Sequence, residues 1–314
     1  MTTLAAARTA GRLSLGGARA RGWLALAVVT AAAVAAAPPR AEYFLVFLPL
    51  YLVPFLAVYL VRPLRRARPA EALAALGALV LVSASHAEWK LLVGSPAFPF
   101  AWDAALASAD RWLHLGRDPW TLLRPLVESR TAMGVLDLLY AYGWYATWLL
   151  GAAAGCWLRN VRFLVAYALA WTVLGMGAAA ALPSAGPAFF AGAAGAPSPY
   201  EGLLHPAAVT PFASEARDLL WWQHTSGAGG FGISAMPSLH VAVAFLYLLA
   251  LWPAGRGWRA FGIAFFAVTQ VGSVALGWHY ALDGYAGAAG VSLLWWLSGR
   301  LVGPEPAERT PAET

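Results

Sequence analysis

The sequence predicts an all-α fold, a polytopic transmembrane helical bundle of about eight spans, and three observations predict it. Of its 314 residues 60% are hydrophobic and only 11% charged, where a soluble globular chain carries about 25% charged residues. Apolar stretches recur along the chain, each near the roughly 17–25 residues that a helix needs to cross the hydrocarbon core. Basic residues crowd into every second connection between those stretches, the pattern of short cytoplasmic loops.

In chain order the stretches fall at roughly 22–38, 43–61, 71–94, 133–157, 162–181, 237–253, 258–276 and 281–300. The first follows Arg8, Arg12, Arg19 and Arg21, as a signal peptide would. Its apolar core is long, however, and its end runs into Pro38-Pro39, a poor cleavage context, so it reads as a retained helix. With the N-terminus in the cytoplasm, the inner segments hold Arg8, Arg12, Arg19, Arg21, Arg62, Arg65, Arg66, Arg68, Arg159, Arg162, Arg256, Arg259, Arg300 and Arg309. That is 14 of the 21 basic residues. Topology thus accounts for the net charge of +6 and the pI near 9.7. Both termini are expected in the cytoplasm of a bacterial cell. Twenty of the 21 basic residues are Arg and Ala is abundant, the mark of a GC-rich genome rather than of a nucleic-acid partner. The chain divides into a basic cytoplasmic segment 1–21, N-terminal spans with an outer loop over 22–132, a catalytic membrane domain over 133–302 and a cytoplasmic tail 303–314.

Polar function is left to two outer loops. The first, about 95–132, contains "AWDAALASADRWLHLGRDPWTLLRPLVESR", whose mixed charge and apolarity at helical spacing suits helices in the membrane interface. Its Asp103, Asp110 and Asp118 are flanked by arginines and read as a solvated face. The second, about 182–236, is rich in Pro, Gly and Ala and reads as ordered loop with one short helix at 211–223. Cys156 is alone in an apolar run, which excludes a disulfide framework and a thiolate metal site. No Gly-x-Gly-x-x-Gly turn or Walker-type loop offers a home for a nucleotide. Neither cofactor nor metal is expected, and no internal repeat argues for an inverted-repeat transporter.

Two motifs reach the outer face from different helices. Pro237-Ser238-x-His240 opens the sixth span and His279-Tyr280-Ala281-Leu282-Asp283 opens the eighth, so span counting alone brings both histidines to one depth on one side. His279 and Asp283, four apart, share a helix face. A carboxylate there fixes the imidazole tautomer and stabilises the imidazolium. His240 titrates near neutrality and suits proton delivery to a leaving oxygen. Pro237 in the first turn, Ser238, and the approach Gly229-Gly230-x-Gly232 suit a phosphate seat at a helix N-terminus, with Gly230 and Gly232 supplying backbone. Two histidines, one carboxylate and an anion seat describe phosphoryl transfer through a phosphohistidine without metal.

"GISAMPSLHVA" and "GWHYALDGYAG" resemble the second and third motifs of the type-2 phosphatidic acid phosphatase superfamily. The likeness is greatest to the branch of inositol phosphorylceramide synthases (inositolphosphotransferase-like) and their bacterial relatives, which "LPSAGPAFF" also resembles. The resemblance spans about Leu182 to Arg300. It implies His279 as nucleophile, Asp283 as its orienting partner and His240 as general acid, with a lipid phosphate substrate in the membrane. The superfamily's phosphatases carry Ser-Arg six or seven residues before the nucleophile, where this chain has Gly272 and Ser273. That departure favours transfer to an alcohol, such as a polyol, over hydrolysis, and leaves the phosphate-binding cation open. Arg117-x6-Arg124-Pro125 has the first motif's spacing with Arg for Lys, though two expected spans separate it from His240. Arg217, in the loop leading to Pro237, has the better position.

Other polar residues have plainer readings. His86, Glu88 and Lys90 at the outer end of the third span suggest an internal ion pair or snorkelling to the interface. His114, His205 and His224 read as loop surface. Two rivals to the transferase stand: a lipid phosphate or pyrophosphate phosphatase on the same machinery, and a non-catalytic lipid transporter or scaffold.

Overall fold

In hydrocarbon a long apolar run must satisfy its own backbone N–H and C=O groups, which a helix does. The computed structural model, which describes residues 2–61, 69–95, 98–204, 210–227 and 232–303, is helical with no strand among those residues. It has a helix at each of the eight expected places. Arg62, Arg65, Arg66, Arg68, His205, Gly229, Gly230 and Arg309 lie outside the described residues, as do the side chains of Arg8 and Arg12.

Helices α1 (Thr2–Ala36), α2 (Ala41–Val61) and α3 (Pro69–Lys90) precede the first outer loop, whose main helix is α4 (Asp103–Leu113). Helix α5 runs from Arg130–Leu138 through a π-helical stretch, Leu139–Gly143, into Trp144–Leu158. Helix α6 does the same: Val161–Leu169, a π stretch Ala170–Ala178, then Ala179–Ala181. In the second outer loop α7 spans Pro211–Ser226, and α8 (Leu239–Leu251), α9 (Arg256–Ala275) and α10 (Ala281–Val302) complete the chain. Arg19–Ala36, Ala41–Leu60, Pro69–Lys90 and Val161–Ala181 are long and apolar enough to cross a membrane, and Leu239–Ala254 is a shorter apolar helix.

Side-chain caps set the starts. Asn160 accepts the Phe163 N–H at 3.0 Å just after Arg159 turns left-handed at φ 53°, which reverses α5 into α6 in two residues. Ser238 caps α8, its hydroxyl accepting the Val241 N–H at 3.4 Å. Pro237 therefore precedes the cap instead of lying in the first turn, because the cap position needs a side-chain acceptor that serine has and proline lacks.

Helix α8 packs along α9 and α10, α2 along α5, and α1 against α3 and α6. Their main core joins Tyr51, Leu79, Trp148, Leu164, Leu246 and Val291 from six helices. A smaller core lies under the outer loops, where Leu106 and Ala107 of α4 meet Met133, Leu136, Leu276 and Tyr280.

One sequence expectation fails at this outer layer. Asp103 and Asp110 are not a solvated face: each is only 2% exposed, on the same side of α4 as buried Leu106 and Ala107. Their carboxylates accept backbone N–H groups from other segments, which compensates their burial. Of His86, Glu88 and Lys90, Glu88 does form an ion pair, with Arg40 at 2.8 Å.

Candidate active site

His279 stands just before α10, its N–H donating to the Ser273 carbonyl at 3.0 Å. Asp283, in the first turn, accepts the Tyr280 N–H through Oδ2 at 3.0 Å, and the same oxygen lies 3.3 Å from His279 Nδ1. An ionised carboxylate only accepts, so the hydrogen between the two lies on Nδ1, and in the neutral ring the lone pair is then on Nε2. Asp283 is fully buried and His279 is 7% exposed.

His240 sits in the first turn of α8. Its ring stacks on Tyr140 (centroids 5.1 Å apart, planes 16° apart) and lies against Trp144 at 4.2 Å. The two histidine rings are 6.3 Å apart. Tyr140 belongs to the π-helical stretch of α5, and such widened turns are frequent at functional sites.

Short sutures hold the two motifs together. The Ser238 N–H donates to the Asp283 carbonyl at 3.0 Å. Helix α10 passes so close here that a Cβ on Gly287 would lie 2.6 Å from the Ser238 oxygen. Above them runs "LPSAGPAFF". The Ser184 carbonyl accepts the Ala235 N–H at 2.9 Å and its hydroxyl accepts the Met236 N–H at 3.1 Å. Gly186 at φ +92° lies against the Trp278 carbonyl, where a Cβ would come within 2.5 Å, and the Ala188 N–H donates to Gly277 at 2.8 Å. One loop segment thus binds the approach to each histidine. Asp103 anchors that segment from α4, accepting the Ala185 and Gly186 N–H groups at 2.9 and 2.8 Å. Asp110 caps α10 through the Ala281 and Leu282 N–H groups at 3.0 and 2.9 Å. Burial raises the Asp110 carboxyl above its usual range, against the two N–H donors that lower it.

Of the residues singled out in the sequence, His240, His279 and Asp283 are brought together, with buried Ser238 and Pro237 beside them. Gly232 has a packing reason: at φ +65° it lies against the Lys90 carbonyl. Arg217 lines an outer cavity of ≈ 530 Å³ with Phe189, Ser214, Asp218 and Trp221. Burial lowers the pKa of its guanidinium. Arg124 is exposed in an ion pair with Glu128 at 2.6 Å, and neither arginine contacts a histidine of the site. His224 packs between Phe100 and Trp221. At Gly272 a Cβ would lie 2.7 Å from the Tyr140 ring, and Ser273 is fully buried, so no cation stands on that turn. Among the described residues no three His, Cys, Asp or Glu side chains gather to hold a metal ion.

Sequence reasoning missed Tyr140, Trp144, Asp103, Asp110 and Ser184. Asp103 and Asp110 alone left a signal, being seven apart with apolar residues between them on the same helical face.

This is an all-helical membrane protein with a buried His–Asp pair facing a second histidine. The chain belongs to the PAP2 superfamily, whose sequence profile matches residues 104–297. Comparison with curated proteins finds no match, and comparison with solved structures finds none. Membership points to a phosphatase or phosphotransferase acting on lipid phosphates in a membrane. The match begins in α4, well before the motif-bearing stretch that starts near Leu182, and so takes in the helix that carries Asp110.

Proposed function

We propose that the chain is a lipid phosphotransferase of the branch resembling inositol phosphorylceramide synthases and their bacterial relatives. It works through a phosphohistidine at the extracytoplasmic face of an eight-span bundle. The observation that carries this reading is the His279–Asp283 pair with His240 6.3 Å from it. His279 Nε2 attacks phosphorus of a lipid phosphodiester or pyrophosphate; an N–P bond forms as the bond to the leaving oxygen breaks. His240 gives that oxygen its proton, and Asp283 balances the charge developing on the His279 ring. An alcohol, such as a polyol, then gives its proton to His240. Its oxygen takes the phosphoryl group and the N–P bond breaks. The scheme uses the chain's own residues throughout.

Transfer is favoured over hydrolysis by the Gly272–Ser273 turn, where the superfamily's phosphatases carry Ser-Arg, and by the aromatic wall of Tyr140 and Trp144 around His240. The topology is supported by Arg19 and Arg159, which both reach Glu71, at 2.6 and 3.7 Å, and so gather the starts of α1's and α3's apolar segments and the end of α5 at one end of the bundle.

The test is incubation of the protein in liposomes with a head-group-labelled lipid and a polyol. Label transferred to the polyol in excess of label released as head-group phosphate supports the transferase. Released head-group phosphate alone makes it a hydrolase, and no turnover leaves a transporter or scaffold.

A further inference from the structure

The chain has one lysine among its 21 basic residues, Lys90. It ends α3 beside the loop that leads into His240, where Gly232 approaches so closely that a Cβ would lie 2.4 Å from the Lys90 oxygen. One turn back, on the same face of α3, His86 stands edge-on to Trp171 with ring centroids 4.8 Å apart. His86 shares its contact on Gly175 with the residue before His240: a Cβ there would lie 2.9 Å from His86 Nε2 and 2.6 Å from Leu239 Cδ1. The end of α3, the π stretch of α6 and the start of α8 therefore meet at one point.

Donors on these segments and on the neighbouring α5 stand unused. Lys90 is half-buried and has no carboxylate partner among the described residues, since Glu88 pairs with Arg40. Trp171 Nε1 and the Tyr140 hydroxyl, on residues 7% and 6% exposed, have no hydrogen-bond partner among the described residues. A cation without a counter-charge, beside N–H and O–H groups without acceptors, is costly unless an anion completes it.

We infer that Lys90, with the Trp171 indole N–H and His86 beside it, seats the non-bridging phosphoryl oxygens of the substrate at the His240–His279 site. This rests on the reading of that site as a phosphoryl-transfer centre. Lys90 then supplies the cation that the Gly272–Ser273 turn lacks, from a helix outside the matched segment 104–297. A lysine suits this role as a compact charge that needs no planar partner.

Orthovanadate, a stand-in for the transferring phosphoryl group, separates this inference from the lipid reading. Its affinity is measured by calorimetry on the full chain in detergent, alongside lipid turnover. Lys90→Gln should weaken vanadate binding about 10- to 100-fold, and Lys90→Arg should keep most of it. Binding within twofold of wild type in Lys90→Gln overturns the seat, as does an equal loss in Lys90→Arg. Should Lys90→Gln not fold, the wild-type chain decides: vanadate must slow acylation of its single lysine, and an unchanged rate overturns the seat. If wild type binds vanadate through Lys90 but turns over no lipid, the transferase reading fails and the seat stands. If wild type binds no vanadate, the seat fails whatever the turnover.

Discussion

The Tyr280 hydroxyl donates to the Asp103 carboxylate at 2.8 Å, across 177 residues of sequence. Tyr280 follows His279 directly and its own N–H is held by Asp283, while Asp103 also holds the loop at Ala185 and Gly186. One buried carboxylate on the first outer helix therefore ties the catalytic turn to the segment above it. Replacing Asp103 with Asn sets an NH₂ group against donors, and each donor left unpaired should cost about 1–3 kcal/mol. Tyr280→Phe leaves the other two bonds and should cost about 1 kcal/mol. Thermal unfolding in detergent reads both, and an Asp103→Asn protein as stable as wild type would contradict the anchor.

Ser238 caps α8 with its hydroxyl. Ser238→Ala should therefore lower stability by about 1 kcal/mol while leaving KM within twofold. A tenfold rise in KM with unchanged unfolding would mean that the hydroxyl binds substrate instead of the helix end.

Gly272 leaves room for the Tyr140 ring, which stacks on His240. Gly272→Ala places a Cβ into that ring and should push it off the imidazole. A displacement near 1 Å at a reacting group costs about 100-fold in turnover. Full activity in Gly272→Ala would show that the stack does not position His240.

His240 is assigned the proton for the leaving oxygen. In the first, enzyme-phosphorylating step, before His240 acts on the acceptor, His240→Ala should cost about 10²–10⁴-fold with an alcohol leaving group and much less in the burst of a nitrophenolate, which leaves without a proton. His279→Ala should abolish both reactions alike. Equal losses for both substrates in His240→Ala would remove the general-acid role.

Legibility followed the physics of each feature. The eight helices were readable because apolar length and arginine spacing are local properties, and His279 with Asp283 because four residues make one helical turn. The meeting of His240 with His279 was readable because each opens an apolar helix that follows an odd number of expected reversals. Asp103 and Asp110 were misread because their flanking arginines suggest water, while their partners are backbone N–H groups of segments 82 and 171 residues away. Lys90 stands at the outer end of its span, but the contact of its backbone with the approach to His240 depends on Gly232 letting the two segments touch. Arg124 and Arg217 matched by spacing or loop position alone, and the structure turns both to other partners.

The most direct test is to quench the protein during turnover of a lipid labelled at phosphorus and map the label by mass spectrometry. The account predicts acid-labile, alkali-stable phosphate on His279, absent from His279→Ala and accumulating when no alcohol is supplied. Turnover with no label on the protein, or with label on any other residue, would contradict it.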